Sequence, residues 1–128
     1  MDIANVLATY LADNGFGVLG TNIFVGYLPE NTAGIYIDRI GGQLNNYIPI
    51  EECVVNIYVK NTSGSEAIGT LESIKNFIHR MHSTEKGGAY IYTFLVLGNI
   101  EDVARDLEYG KVYKLSVQAT FRNTGIIS

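Results

Sequence analysis

Between residues 51 and 60 the chain alternates. Cys53, Val55, Ile57 and Val59 fall on one side, and Glu52, Val54, Asn56, Tyr58 and Lys60 on the other. A period of two predicts a strand with one face buried. After Asn61-Thr62-Ser63-Gly64 the period changes to three or four. Ala67, Leu71, Ile74, Ile78 and Met81 draw one apolar stripe down a long helix. Ser65 is a suitable cap for its start, and Gly87-Gly88 lies shortly beyond its end. A strand with one apolar face and a helix with one apolar stripe must fold together to hide both.

The same reading supplies the other elements. Ile3, Val6, Leu7, Tyr10 and Leu11 form a helical stripe over residues 2–13, with Asp2 as cap and Asn14-Gly15 as a left-handed terminus. Residues 16–21 are Gly-rich and read as a loop. Residues 23–28 form a short strand closed by Pro29-Glu30-Asn31, and residues 34–40 the next strand. Two glycines, two asparagines and a proline make residues 41–49 a turn-rich excursion. Residues 89–97 are apolar on both faces apart from Thr93, which places that strand at the centre of the sheet or under a second subunit. Residues 100–107 read as a charged edge strand or arm leading to the turn Glu108-Tyr109-Gly110. Residues 111–122 alternate again, with Tyr113, Leu115, Val117, Ala119 and Phe121 on one side.

Short loops between the late strands favour antiparallel pairing. The expected fold class is α+β: a single antiparallel β-sheet, mixed at most, with two α-helices packed on one face. At 128 residues the chain is expected to be one domain spanning residues 1–128.

Composition narrows the function classes. The net charge is −4 and there is no basic run, which argues against a duplex-DNA binder that works by neutralising phosphates. Nine tyrosines with only 17% charged residues suit strands and contact surfaces. Cys53 is the single cysteine, so no intrachain disulfide is available, and its parity predicts an inert core thiol. The acidic, interrupted N-terminus resembles neither a signal peptide nor a membrane span, so a cytoplasm-like compartment and no membrane partner are expected.

Candidate chemistry is sparse. Gly15-Phe16-Gly17-Val18-Leu19-Gly20 spells G-x-G-x-x-G, but it follows a helix and enters a strand, the reverse of a dinucleotide site. It remains the site of an alternative reading, a small ligand-binding or regulatory α+β module. His79 and His82 stand three apart at the end of the second helix, where they can share a face, but only Glu85 lies near as a third ligand. Asp102, Asp106 and Glu108, with Glu101 and Arg105 among them, read as a solvated or inter-subunit charge face rather than an acid/base pair. No catalytic constellation, metal set or cofactor site is found, and no enzyme activity is expected.

One family matches this layout. The runs Ile23-Phe24-Val25-Gly26-Tyr27-Leu28-Pro29-Glu30 and Ile35-Tyr36-Ile37-Asp38, then Gly41-Gly42, then Ile48-Pro49-Ile50-Glu51-Glu52 leading to Val55-Asn56-Ile57-Tyr58-Val59-Lys60, carry the resemblance. So does Asp106-Leu107-Glu108-Tyr109-Gly110-Lys111 with the strand after it. Together they resemble the minor capsid and tail-terminator proteins of long-tailed bacteriophages, over nearly the whole chain. That family often carries Arg where Lys60 and Lys111 stand.

The resemblance implies a structural virion protein at the head–tail junction, assembled in the host cytoplasm. Its implied partners are copies of itself in a six-fold ring, the tail tube protein and the head completion or connector protein. DNA would pass through the ring without specific binding. The candidate contact residues are Gly41, Gly42, Asn45, Tyr47, Tyr58, Tyr90, Tyr92, Asp102, Arg105, Asp106 and Tyr109.

Overall fold

The strand expected at residues 51–60 is a central member of a six-stranded sheet. The computed structural model describes residues 3–26, 33–44, 51–61, 63–79, 82–86, 89–106 and 110–123. Its elements are α1 (Ile3–Asp13), β1 (Ile23–Val25), β2 (Gly34–Leu44), β3 (Glu51–Asn61), α2 (Gly64–His79), β4 (His82–Lys86), β5 (Ala89–Asp106) and β6 (Gly110–Asn123). The strand order is β1-β2-β3-β6-β5-β4. Only β1 and β2 run parallel; every other neighbouring pair is antiparallel. The architecture is the expected α+β sheet, mixed by that one pair.

Parity of the apolar positions decides which face is covered. Cys53, Val55, Ile57 and Val59 are buried on β3. In register with them stand Ile35 and Ile37 on β2, and Tyr113, Leu115, Val117, Ala119 and Phe121 on β6. Both helices lie on this face. α1 brings Ile3, Val6, Leu7 and Leu11 over β1 and β2, and α2 brings Ala67, Leu71, Ile74 and Ile78 over β3, β6 and β5. The ring of Phe77 on α2 joins the two, with its centroid 5.0 Å from Tyr10 and 5.3 Å from Phe16.

The ends of the elements follow local chemistry. α1 closes as expected at a left-handed Gly15, with φ +85°. Phe16 N–H donates to the Leu11 carbonyl at 3.0 Å and Gly15 N–H to that of Ala12 at 3.2 Å, the paired bonds of a Schellman terminus. The cap of α2 differs from expectation. Ser63, not Ser65, holds it: Glu66 N–H donates to Ser63 Oγ at 3.3 Å, while Ser63 N–H donates to Asn61 Oδ1 at 2.9 Å. Replacing Ser63 by alanine is expected to cost about 1 kcal/mol in urea unfolding, and Ser65→Ala much less.

Four further expectations are corrected. β1 is three residues, Ile23–Val25, and ends at Gly26 with φ +80°; residues 27 and 28 of the expected strand lie outside the described residues. The supposed excursion at 41–49 begins in a strand, because Gly41, Gly42, Gln43 and Leu44 continue β2 opposite Val54, Cys53, Glu52 and Glu51 after a bulge at Ile40. Residues 100–106 are not a separate edge strand. They continue β5 past irregularities at residues 98–100 and 103, still paired with β6. Finally, α2 ends at His79 and His82 opens β4, so the two histidines do not share a helix face.

Gly34 sits where the chain passes closest to itself. A Cβ there would fall 2.8 Å from the Asn22 backbone oxygen, the same oxygen that accepts from Ile35 N–H at 2.8 Å. Gly34→Ala is expected to lower stability by about 1–3 kcal/mol, because neither backbone can retreat without breaking the β1–β2 bond.

Candidate assembly surface

The face of the sheet away from the helices is built in rows by strand register. One row reads Tyr36, Tyr58, Lys114, Glu101 across β2, β3, β6 and β5. The next reads Asp38, Asn56, Ser116, Leu97, and beyond it Val54, Gln118, Leu95. In the first row the Tyr36 and Tyr58 rings stack with centroids 5.1 Å apart, and Lys114 Nζ lies 3.4 Å from Glu101 Oε2. The ion pair is exposed on the Glu101 side, so it contributes little stability.

The second row contains a buried polar chain. Ser116 Oγ donates to Asn56 Oδ1 at 2.7 Å, and Asn56 Nδ2 donates to the Tyr58 hydroxyl at 3.2 Å. Asn56 is 2% exposed although neither described helix packs on this face. Its bond to the Tyr58 hydroxyl helps to orient that ring for the stack with Tyr36.

Burial, and then the charge and hydrogen bond of Asp38, raise the Tyr36 pKa above its ordinary value of 10.0. Folding therefore favours the neutral phenol. The resulting stability is complete below pH 10 and is lost as pH rises through the folded pKa. In an alkaline unfolding series, Tyr36→Phe is expected to flatten the fall in stability above pH 10; an unchanged slope would contradict this environment for Tyr36.

Apolar side chains remain on the surface at β5. Phe94 and Val96 turn into the core, which leaves Leu95 56% and Leu97 37% exposed on the other face. Val103, at the irregularity farther along, is also exposed. The greasy strand foreseen from the sequence is thus core on one side and bare on the other. Two open clefts, of about 290 and 400 Å³, lie between β5 and α2 and share Lys75. Neither gathers catalytic groups, and among the described residues no set of His, Cys, Asp or Glu is arranged to hold a metal. No described helix is long and apolar enough to cross a membrane.

The glycine motif closes on itself. Gly20 N–H donates to the Ile23 carbonyl, and the N–H groups of Thr21, Asn22 and Ile23 all turn to the Val18 carbonyl. Val18 N–H is taken by Asn22 Oδ1 at 2.6 Å. A phosphate cradle needs such N–H groups turned outward. Here they are spent within the turn, which leaves Val18 and Leu19 exposed at its tip.

The sequence-chosen contact residues scatter over this surface. Tyr58 lies in the aromatic row, and Gly41 and Gly42 lie on β2 at the opposite end of the sheet face. Tyr90 and Tyr92 belong to the end of β5 near β4, where Tyr90 pairs with Glu85 and Arg122. Asp102 is exposed on β5, and Arg105 and Asp106 belong to the arm that β5 forms with Lys111 and Gly110. Asn45, Tyr47 and Tyr109 lie outside the described residues, as does Glu108. Sequence reasoning missed Tyr36 and Asn56, and it named the strand 89–97 as a contact without singling out Leu95 and Leu97. The parity of β3 was enough to place Asn56 beside Tyr58, but Tyr36 and the two leucines needed the register.

The described surface thus carries a tyrosine stack and exposed leucines on the sheet face away from the helices. The family model of the bacteriophage tail terminator protein matches residues 10–123, and the chain belongs to that family. It is a structural protein of a phage tail. A chain from the virion of a native gene transfer agent particle shares the fold, with a TM-score of 0.53 and 11% identity, over 92% of this chain and 85% of that one. No curated protein matches the sequence.

Proposed function

We propose that this protein forms a ring, six subunits around, on the head-proximal end of the tail tube. There it stops tube polymerisation and offers its other side to the head's connector. DNA crosses the central hole without being held, as suits an acidic chain with no basic run. Each chain acts as one domain, in the virion, and performs no catalysis. Family membership supports the terminator role. The single structural observation that favours a ring is the bare apolar strand: Leu95 and Leu97 on the open face of β5 invite a heterologous contact, and such contacts form a ring when the rotation between copies closes.

The contact residues named above are part of this proposal in a revised form. The arm of Asp102, Arg105 and Asp106 is a candidate for contact with a neighbour or the tube, and charge reversal at Asp102 and Asp106 is expected to impair ring formation. A deletion of residues 41–46 is no clean test of the second candidate, because it removes the pairing of Gly41–Leu44 with β3. The whole reading is tested by silencing the gene during infection. Overlong tubes without heads are expected. Tubes of normal length joined to heads would overturn the role.

A further inference from the structure

The two lateral edges of the sheet are stepped in opposite senses. At one edge β1 covers only Ile35, Tyr36 and Ile37 of β2, and no described strand meets residues 38–44 on that side. At the other edge β4 covers β5 only from Ala89 to Thr93, and no described strand meets residues 94–106 on that side. Through the register, β1 is level with the far half of β5, around Asp102, and β4 is level with the Gln43 end of β2. Each edge therefore projects where the other recedes.

The apolar surface follows the same division. Among the described residues the exposed large hydrophobics are Val18, Leu19, Leu95, Leu97 and Val103. Val18 and Leu19 ride on the turn bridged to β1 through Leu19 and Ile23, at the projecting end of one edge. Leu95, Leu97 and Val103 lie on the receding part of the other, beside the clefts that Lys75, Val96, Gly98 and Ile100 line.

We infer that the Val18–Leu19 turn of one copy seats in the recess between β5 and α2 of the next copy. The occupant is a second copy because one chain carries both halves of the fit, in shape and in apolar character, and cannot join them within itself. The two patches differ, so the contact is heterologous and can close into a ring. Repeated around an axis, the same operation brings β4 of one copy toward the free edge of β2 in the other. Arg39 is the outward residue there, next in the row after Ile35 and Ile37, whose N–H and C=O bond to Asn22 and Gly26. The same contact covers backbone groups of β2 that no described strand meets on that side.

The inference rests on the ring reading, and the experiment separates the two. Leu19→Cys and Leu97→Cys are combined in one full-length chain. Within a chain the two sites stand at least four strand spacings apart, about 19 Å, far beyond disulfide reach. The sample is oxidised at high concentration, alone and with tail tubes, and its assembly state is recorded by light scattering and electron microscopy. A covalent ladder of multimers in the double variant, absent from either single variant, is expected. Rings without a ladder overturn this contact and leave the ring reading standing. A chain that stays single and unlinked in both conditions overturns both.

Discussion

Replacing Leu95 and Leu97 together by glutamate is expected to leave the subunit folded and to weaken its self-association by roughly 10- to 100-fold per contact. Both side chains stand on the uncovered face of β5, 56% and 37% exposed, so the isolated fold loses little when they change. The assembly loses much more. Fully burying a leucine is worth about 1.5–3 kcal/mol, and Leu95 still has about half of that to gain and Leu97 about a third. Together that is roughly 1.4–2.8 kcal/mol per contact, which converts to the stated factor. A glutamate at a closed contact must also be desolvated, which acts in the same direction. The check is sedimentation velocity across a concentration series beside a thermal melt. Unchanged association at unchanged melting temperature would remove β5 from the interface.

Ile57→Ala makes the opposite case. Ile57 is fully buried at the middle of β3, between Ile37 on β2 and Leu115 on β6, both also fully buried. Leu71 and Ile74 of α2 belong to the same apolar cluster. Truncation leaves a hole that three sheet strands and a helix cannot collapse to fill. The expected loss is about 2–5 kcal/mol in urea unfolding with an unchanged m-value. Leu95→Ala should cost less than about 0.5 kcal/mol in the same assay. Similar costs at the two positions would contradict the assignment of core and open face.

The covered face was legible because its chemistry is redundant. Val55, Ile57 and Val59 agree with Leu115, Val117 and Ala119 in parity, and α1 and α2 show stripes of the right period. Where one signal had to decide alone, the sequence misled. Residues 89–97 are apolar on both sides, so nothing local separates Phe94 and Val96 from Leu95 and Leu97. Pairing of Phe94 with Ala119 does so. His82 reads as the end of a helix and Ser83-Thr84-Glu85-Lys86 has no apolar pattern to assign it, yet residues 82–86 lie along β5 as an edge strand. Gly41 and Gly42 look like a turn, but the opposite strand holds them extended. Ser63 and Ser65 are equal as candidate caps; the bond from Ser63 N–H to Asn61 Oδ1 settles the difference.

The contact surface was only partly legible for a related reason. A catalytic site announces itself by residue type, whereas an assembly surface is defined by what is left uncovered. Tyr58 was foreseen because tyrosine is common at contacts. Its stacking partner Tyr36 and the Ser116 that bonds to Asn56 come from strands β2 and β6, which only the sheet order brings alongside. Val18 and Leu19 were read within a glycine motif. Their exposure follows from a turn that bonds inward and leaves its side chains outside.

The central claim is that this chain works by joining copies of itself on a cylinder. Electron microscopy of tail tubes grown from the tube subunit, with and without the purified protein, tests it most directly. With the protein present, tubes should stop growing and carry at one end a ring whose mass is six times the 14.1 kDa chain. Tubes that lengthen at the same rate and end bare, at every protein concentration, would contradict it.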